Sequence, residues 1–219
     1  MPSVPVGEPS VPFGEPSVPF GGEPVPPGPG HPDRLRWNTR YAGGRAPSFT
    51  PHPLAVRALA PGLPDGPVAD LACGPSGAAL LAAAAGRPVT AVDVSDVALE
   101  MLGGEAERRD LGPLITLEHA DLSAWRPRPR SYALVLCTGF WARAVFAAAT
   151  GAVADGGLLA WEALTAEARR ARPALPPDWS LAPGEPASLL PPDFTVLDQH
   201  DVPGEKRQLL ARREAGPRR

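Results

Sequence analysis

Short apolar runs recur along this chain, separated by segments whose apolar residues keep helical spacing. The runs fall at 68–72 (VADLA), 89–92 (VTAV), 114–118 (LITLE) and 132–137 (YALVLC). A fifth follows a tight turn within 154–164 (ADGGLLAWEAL). The first reads as a buried parallel strand, and the others as further strands of the same sheet. The intervening segments predict helices over 78–85, which is alanine-rich and stopped by Gly86, over 96–109, and over 140–150. Ser95 is placed to cap the second of these, and Val97, Met101 and Leu102 supply its apolar stripe. Two shorter helices are expected, at 53–59 with proline in its first turn and at 165–172. Phe194 to Asp201 and Lys206 to Arg212 alternate around Pro-Gly-Glu and read as a hairpin. Strand–helix alternation ending in a hairpin predicts an α/β, Rossmann-like, doubly wound sheet. It is seven-stranded and mostly parallel, with a C-terminal antiparallel β-hairpin.

The pattern also divides the chain. Residues 1–30 repeat the units PSVPVGE, PSVPFGE and PSVPFGGE. Proline at this density fixes φ and removes donors, and little apolar surface is clustered, so a disordered tail with polyproline character is expected. It suits a proline-recognising partner, or is a lineage-specific tail with no essential role. Residues 31–60 form a helical cover. Within it Trp37, Arg40 and Tyr41 are spaced i, i+3, i+4 before Gly43-Gly44, which suits a lid over a ligand or a packing helix. Residues 61–213 form the α/β domain, and 214–219 a frayed end. The segment 173–186 is an irregular, proline-rich insertion.

Charge narrows the classes of partner. The net charge is −3, and the three acids of residues 1–30 account for all of it. A neutral remainder lacks the basic footprint of a nucleic-acid binder. No apolar run is long enough to span a bilayer, and no signal-peptide pattern is present, so a cytoplasmic protein without membrane contact is expected. Cys73 and Cys137, two cysteines at strand ends, are expected as reduced, buried thiols. Metal ligands are not expected.

Ligands of doubly wound sheets sit beyond the carboxyl ends of the strands. The turn Ala72-Cys73-Gly74-Pro75-Ser76-Gly77 has the small residues that close approach needs. Asp70 precedes it, where a carboxylate orients the turn's amides or binds a ligand ammonium. Asp93 ends the second strand, and its two oxygens suit a ribose diol. Asp121 follows the third strand and suits an exocyclic amine. Three acids repel a polyphosphate and favour a ligand carrying a ribose, an amine and positive charge. S-adenosylmethionine fits that description. His119 and His200 read as strand-end or surface residues rather than as bases. Glu162 reads as a loop anchor or a site group, and Trp161 and Trp179 as pocket wall or core. No catalytic residue is assigned.

The ordered segments DLACGPSGAAL, VTAVDVSDVAL, EHADLSAW, YALVLCTGFW and ADGGLL resemble the motifs of class I S-adenosylmethionine-dependent methyltransferases. The likeness is to the small bacterial branch of tellurite-resistance and thiopurine-type enzymes, which also opens with a Trp-Asn-x-Arg-Tyr segment, here Trp37 to Tyr41. It covers about residues 35–213. The resemblance implies S-adenosylmethionine as cofactor and methyl transfer to a small-molecule acceptor. Asp70, Ala72 and Gly74 would line the methionine side. Asp93 would hold the ribose and Val94 the adenine. Asp121 and Leu122 would contact the adenine edge and face. Cys137 and Thr138 would lie beneath the sulfonium, and Trp37, Arg40 and Tyr41 would close the lid. Ser76 departs from the family's last glycine, and a side chain there is expected to crowd the ligand unless Gly77 absorbs the strain. The fourth strand lacks an Asn-Pro-Pro or Asp-Pro-Pro motif, which disfavours amino methylation of bases or glutamine. Two rival readings remain: a degenerate, non-catalytic member of the fold, and an NAD(P)-dependent oxidoreductase using Asp93 on a ribose. The turn does not match Gly-x-Gly-x-x-Gly, which disfavours the second.

Overall fold

A computed structural model describes residues 25–44, 46–60 and 62–216. Most of the repeat segment, Arg45, Pro61 and the last three residues lie outside the described residues.

Seven strands form one sheet: β1 (Val68–Leu71), β2 (Val89–Asp93), β3 (Ile115–His119), β4 (Tyr132–Thr138), β5 (Val153–Leu164), β6 (Phe194–Val202) and β7 (Lys206–Arg213). Their order is β3-β2-β1-β4-β5-β7-β6, with β1 to β5 parallel and β7 antiparallel to both its neighbours. This is the mostly parallel Rossmann-like sheet that the pattern predicts, with the hairpin added beyond β5. The order reverses between the paired strands β1 and β4, so the connections leaving their carboxyl ends run to opposite sides and open a crevice there.

The helices are α1 (Pro32–Ala42), α2 (Pro53–Ala58), α3 (Gly77–Ala84), α4 (Asp96–Arg108), α5 (Arg143–Ala152) and α6 (Ala168–Ala171). Two apolar clusters sandwich the sheet. One holds Leu71, Val135, Phe146, Leu159 and Trp161; the other holds Leu54, Leu80, Leu102, Leu134 and Leu136. Alternate residues of the central strands feed opposite clusters, which is why those strands read as continuous apolar runs. Trp161 is fully buried and belongs to the core.

Differences from the sequence pattern lie at element ends. The helix expected from Phe140 begins instead at Arg143, after an extended Ala142. Phe140 stays out of it because its carbonyl accepts from the Trp161 indole at 3.0 Å. The helix expected from Thr165 shrinks to α6, because Thr165 bridges to Leu181 and its amide donates to the Glu205 carbonyl. The insertion therefore returns to the end of β5 instead of trailing away. Two histidines without a signal in the pattern, His31 and His52, cap helices, α1 and α2 respectively.

Candidate functional site

The glycine turn is built by hydrogen bonds to two buried acids. Asp93, 5% exposed, accepts from the Gly74 amide through Oδ2 and from the Ser95 amide through Oδ1, each at 2.8 Å. Each oxygen keeps a second lone pair for a ligand donor. Burial raises its proton affinity, and these amides pull it back. Asp70, 2% exposed, accepts from the Ser76 hydroxyl at 2.5 Å. Burial pushes Asp70 up to about 7, against the Ser76 hydrogen bond and with the Asp93 charge.

Ser76 corrects the expectation that its side chain crowds a ligand. It is the N-cap of α3, its oxygen accepting from the Ala78 and Ala79 amides at 3.1 Å each. Its side chain points into the fold, toward Asp70 and the helix start. Gly77 is needed for packing: a Cβ there would strike the backbone of Phe49 and Thr50. Gly74 has φ +56, and a Cβ on it would lie 2.7 Å from the Tyr41 hydroxyl. Ala72 holds a left-handed φ of 48 despite its Cβ.

α1 lies across the carboxyl ends of the strands. None of its residues is buried. Polar contacts fasten it instead. Arg34 is bidentate to Asp96 at 2.8 and 2.7 Å, Asn38 bonds Asp96 and accepts from Ser95, and the His31 ring meets Asp121 at 3.2 Å. Trp37 and Tyr41 stack at 5.9 Å, and the Arg40 guanidinium lies 5.4 Å from the Trp37 ring centre. Burial, with the Asp93 charge, pushes Tyr41 up to about 12, so its hydroxyl keeps its proton.

Under this helix lies a cavity of about 250 Å³. Of the expected site residues, it brings together Trp37, Tyr41, Ala72, Asp93, Val94, Asp121, Leu122 and Thr138. Asp70, Gly74, Cys137 and Arg40 do not line it. Asp70 faces Ser76, Gly74 faces Tyr41, and Cys137 is fully buried. Asp121 turns one oxygen to the Ser123 amide at 2.8 Å and the other to His31. Burial tends to raise Asp121, but the Ser123 bonds and His31 outweigh it and hold the carboxyl low.

The cavity has further walls. Phe140 and Trp141 follow β4, Leu164 ends β5, Leu175 and Trp179 come from the insertion, and Asp33 comes from α1. Trp179 carried a readable signal as an aromatic in an irregular segment. Asp33 had one too, being a helical turn from Trp37; the expected face at 37, 40 and 41 is in fact 33, 37 and 41. Leu175 had no signal, since its place depends on the fold-back at Leu181. Trp141 is 3% exposed, and its indole N–H is buried without a partner among the described residues. Glu162 lies elsewhere, in a buried network with Lys206 at 2.5 Å, Gln208 at 2.8 Å and His52 at 3.2 Å. It anchors β5 to β7 and α2. His119 bonds the Val94 carbonyl at 3.1 Å and does not line this cavity.

Comparison with known proteins agrees with this architecture. Residues 68–157 match the model of a family described as a methyltransferase domain. That stretch runs from β1 into β5 and includes the glycine turn and the acid that ends β2. Among solved structures, TehB from Haemophilus influenzae is 17% identical with a TM-score of 0.63, over 81% of this chain and 67% of that one. The [4+2]-cyclase SpnF is 14% identical with a TM-score of 0.65, over 89% of this chain and 99% of that one. Geranyl diphosphate C-methyltransferase from Streptomyces coelicolor A3(2), solved with S-adenosyl-L-homocysteine, is 11% identical with a TM-score of 0.59, over 73% of each chain. At these identities the likeness is one of fold. No curated protein sequence matches the chain.

Proposed function

We propose that this chain binds S-adenosylmethionine and transfers its methyl group to a small-molecule acceptor by in-line displacement. The observation that carries the reading is the cavity wall. It has carboxylates at the ends of β2 and β3, left-handed Ala72 beside the glycine turn, and no Lys, Arg or His among its lining residues. That wall suits a cationic, ribose-bearing ligand and opposes a polyphosphate. Asp93 keeps lone pairs for the ribose hydroxyls while fixing the turn. Asp121, at the far end, keeps its own for an amine. Thr138, which ends β4, lines the same cavity. The family match over 68–157 and a structural neighbour solved with S-adenosylhomocysteine support the same assignment.

Little side-chain chemistry is then required. Holding the acceptor in line with the methyl group supplies roughly 7–11 kcal/mol in favourable cases. Trp37, Tyr41, Trp141 and Trp179 exclude water from the reaction path. A scaffold without catalysis has lost its main motive, since Ser76 is a helix cap and not an obstruction. The repeat segment remains a candidate ligand for a proline-recognising partner. The test is a turnover screen with methyl-labelled cofactor over thiols, phenols, amines and carboxylates. Label transfer to an acceptor, reduced by Asp93→Ala, is expected. Cofactor binding with no transfer to any class would contradict the catalytic half of the proposal.

A further inference from the structure

The cofactor assignment leaves a part of the cavity wall without a role, and that part has a definite chemistry. It is aromatic and aliphatic, formed by Phe140, Trp141, Leu164, Leu175 and Trp179. The charged groups in the whole wall are Asp33, Asp93 and Asp121. Asp93 and Asp121 already have roles toward the cofactor, and each is held in place by protein donors, the Gly74 amide for Asp93 and His31 and the Ser123 amide for Asp121. Asp33 has no ion pair or side-chain hydrogen bond among the described residues. Its turn of α1 faces the insertion, because Arg36, three residues on, stacks 4.6 Å from the Trp179 ring centre.

Resting on the methyl-transfer reading above, we propose that the acceptor is an amine on a flat apolar body. Its nitrogen is set toward Asp33 and its rings lie among Phe140, Trp141 and Trp179. An anionic acceptor would enter a wall that holds three carboxylates and no Lys, Arg or His, with Arg36 set behind the Trp179 ring, and that field opposes it. An ammonium gains a charge-assisted hydrogen bond from the carboxylate and attraction from the aromatic faces. In the transfer, the ammonium releases one proton to Asp33 and so to water. The freed nitrogen pair bonds the methyl carbon while the carbon–sulfur pair stays on sulfur. Positive charge thereby moves from sulfur to nitrogen, where Asp33 faces it.

The experiment uses the full chain saturated with S-adenosylhomocysteine and follows binding of phenethylamine, phenethyl alcohol and hydrocinnamate by calorimetry. The amine is expected to bind at least about tenfold more tightly than the carboxylate, a difference of about 1.4 kcal/mol. Asp33→Asn is expected to erase that preference while leaving S-adenosylhomocysteine affinity unchanged. Equal or tighter binding of hydrocinnamate overturns the proposal, as does no amine binding at millimolar concentration. So does a preference that survives Asp33→Asn. If Asp33→Asn weakens S-adenosylhomocysteine instead, Asp33 belongs to the adenine and the proposal fails. Absence of S-adenosylhomocysteine binding at the outset would remove the parent reading and this inference with it.

Discussion

Residue by residue, the site rests on carboxylates whose environments differ. Asp70 titrates near 3.8 in an ordinary setting and near 7 when buried here. Between those values the native state holds a proton that the unfolded chain has released. Stability from this group therefore falls as pH rises from 3.8 to about 7. Asp70→Asn is expected to flatten that segment of a urea-denaturation profile taken at stepped pH. A variant profile parallel to the wild type would contradict it. Glu162 acts in the opposite sense. Burial would raise it, but His52, Lys206 and Gln208 hold it down to about 2. Its contribution is lost as pH falls from 4.5 to about 2. Ser76 gives a second prediction. Ser76→Ala removes a helix cap worth about 0.5–2 kcal/mol, and it also strips Asp70 of its hydrogen-bond donor. Ser76→Gly costs less at the cap but loses the same donor. Neither variant is expected to tighten cofactor binding, as equilibrium titration would show. The identities of these acids were legible in the sequence because each falls at a strand end. The inward turn of Ser76 was not, because a cap and an obstruction share one residue type.

At the level of elements, α1 is the helix with the least burial behind it. It buries no residue and is fastened by Arg34, Asn38 and His31 to groups on α4 and after β3. Exposed ion pairs of this kind contribute about 0–1 kcal/mol each, far less than an apolar helix face does. Backbone amides of α1 are therefore expected to exchange hydrogen well before those of β1, β4 and β5, and to slow when S-adenosylhomocysteine is added. Equal protection of α1 and β4 without ligand would contradict a movable cover. Arg34→Ala is expected to speed α1 exchange further without altering the central strands. The runs of β1, β2 and β4 were readable from sequence because burial on both faces leaves them continuously apolar, whereas β3, at the sheet edge, has no buried residue and was readable only as a short run between helical patterns. The insertion was not. Its path depends on the Thr165–Leu181 bridge and on the Arg143–Glu185 pair, and both link residues far apart in the chain.

For the whole molecule, the sheet supplies a crevice at β1 and β4, and the chain's charge is arranged so that the crevice is negative while the described surface carries many arginine pairs. No helix among the described residues is long and apolar enough to cross a membrane. Topology was legible because strand–helix alternation admits few arrangements. The outer cavity wall was only partly legible, since Asp33, Leu175 and Trp179 meet through α1 and the insertion rather than through any motif. The central claim is that this crevice is a site for a cationic, ribose-bearing cofactor held by Asp93. Calorimetric titration of the full chain with S-adenosylhomocysteine tests it most directly. Saturable one-site binding is expected, weakened about tenfold or more by Asp93→Ala through loss of a charged hydrogen-bond acceptor. No heat of binding at millimolar ligand, or an affinity indifferent to Asp93, would contradict it.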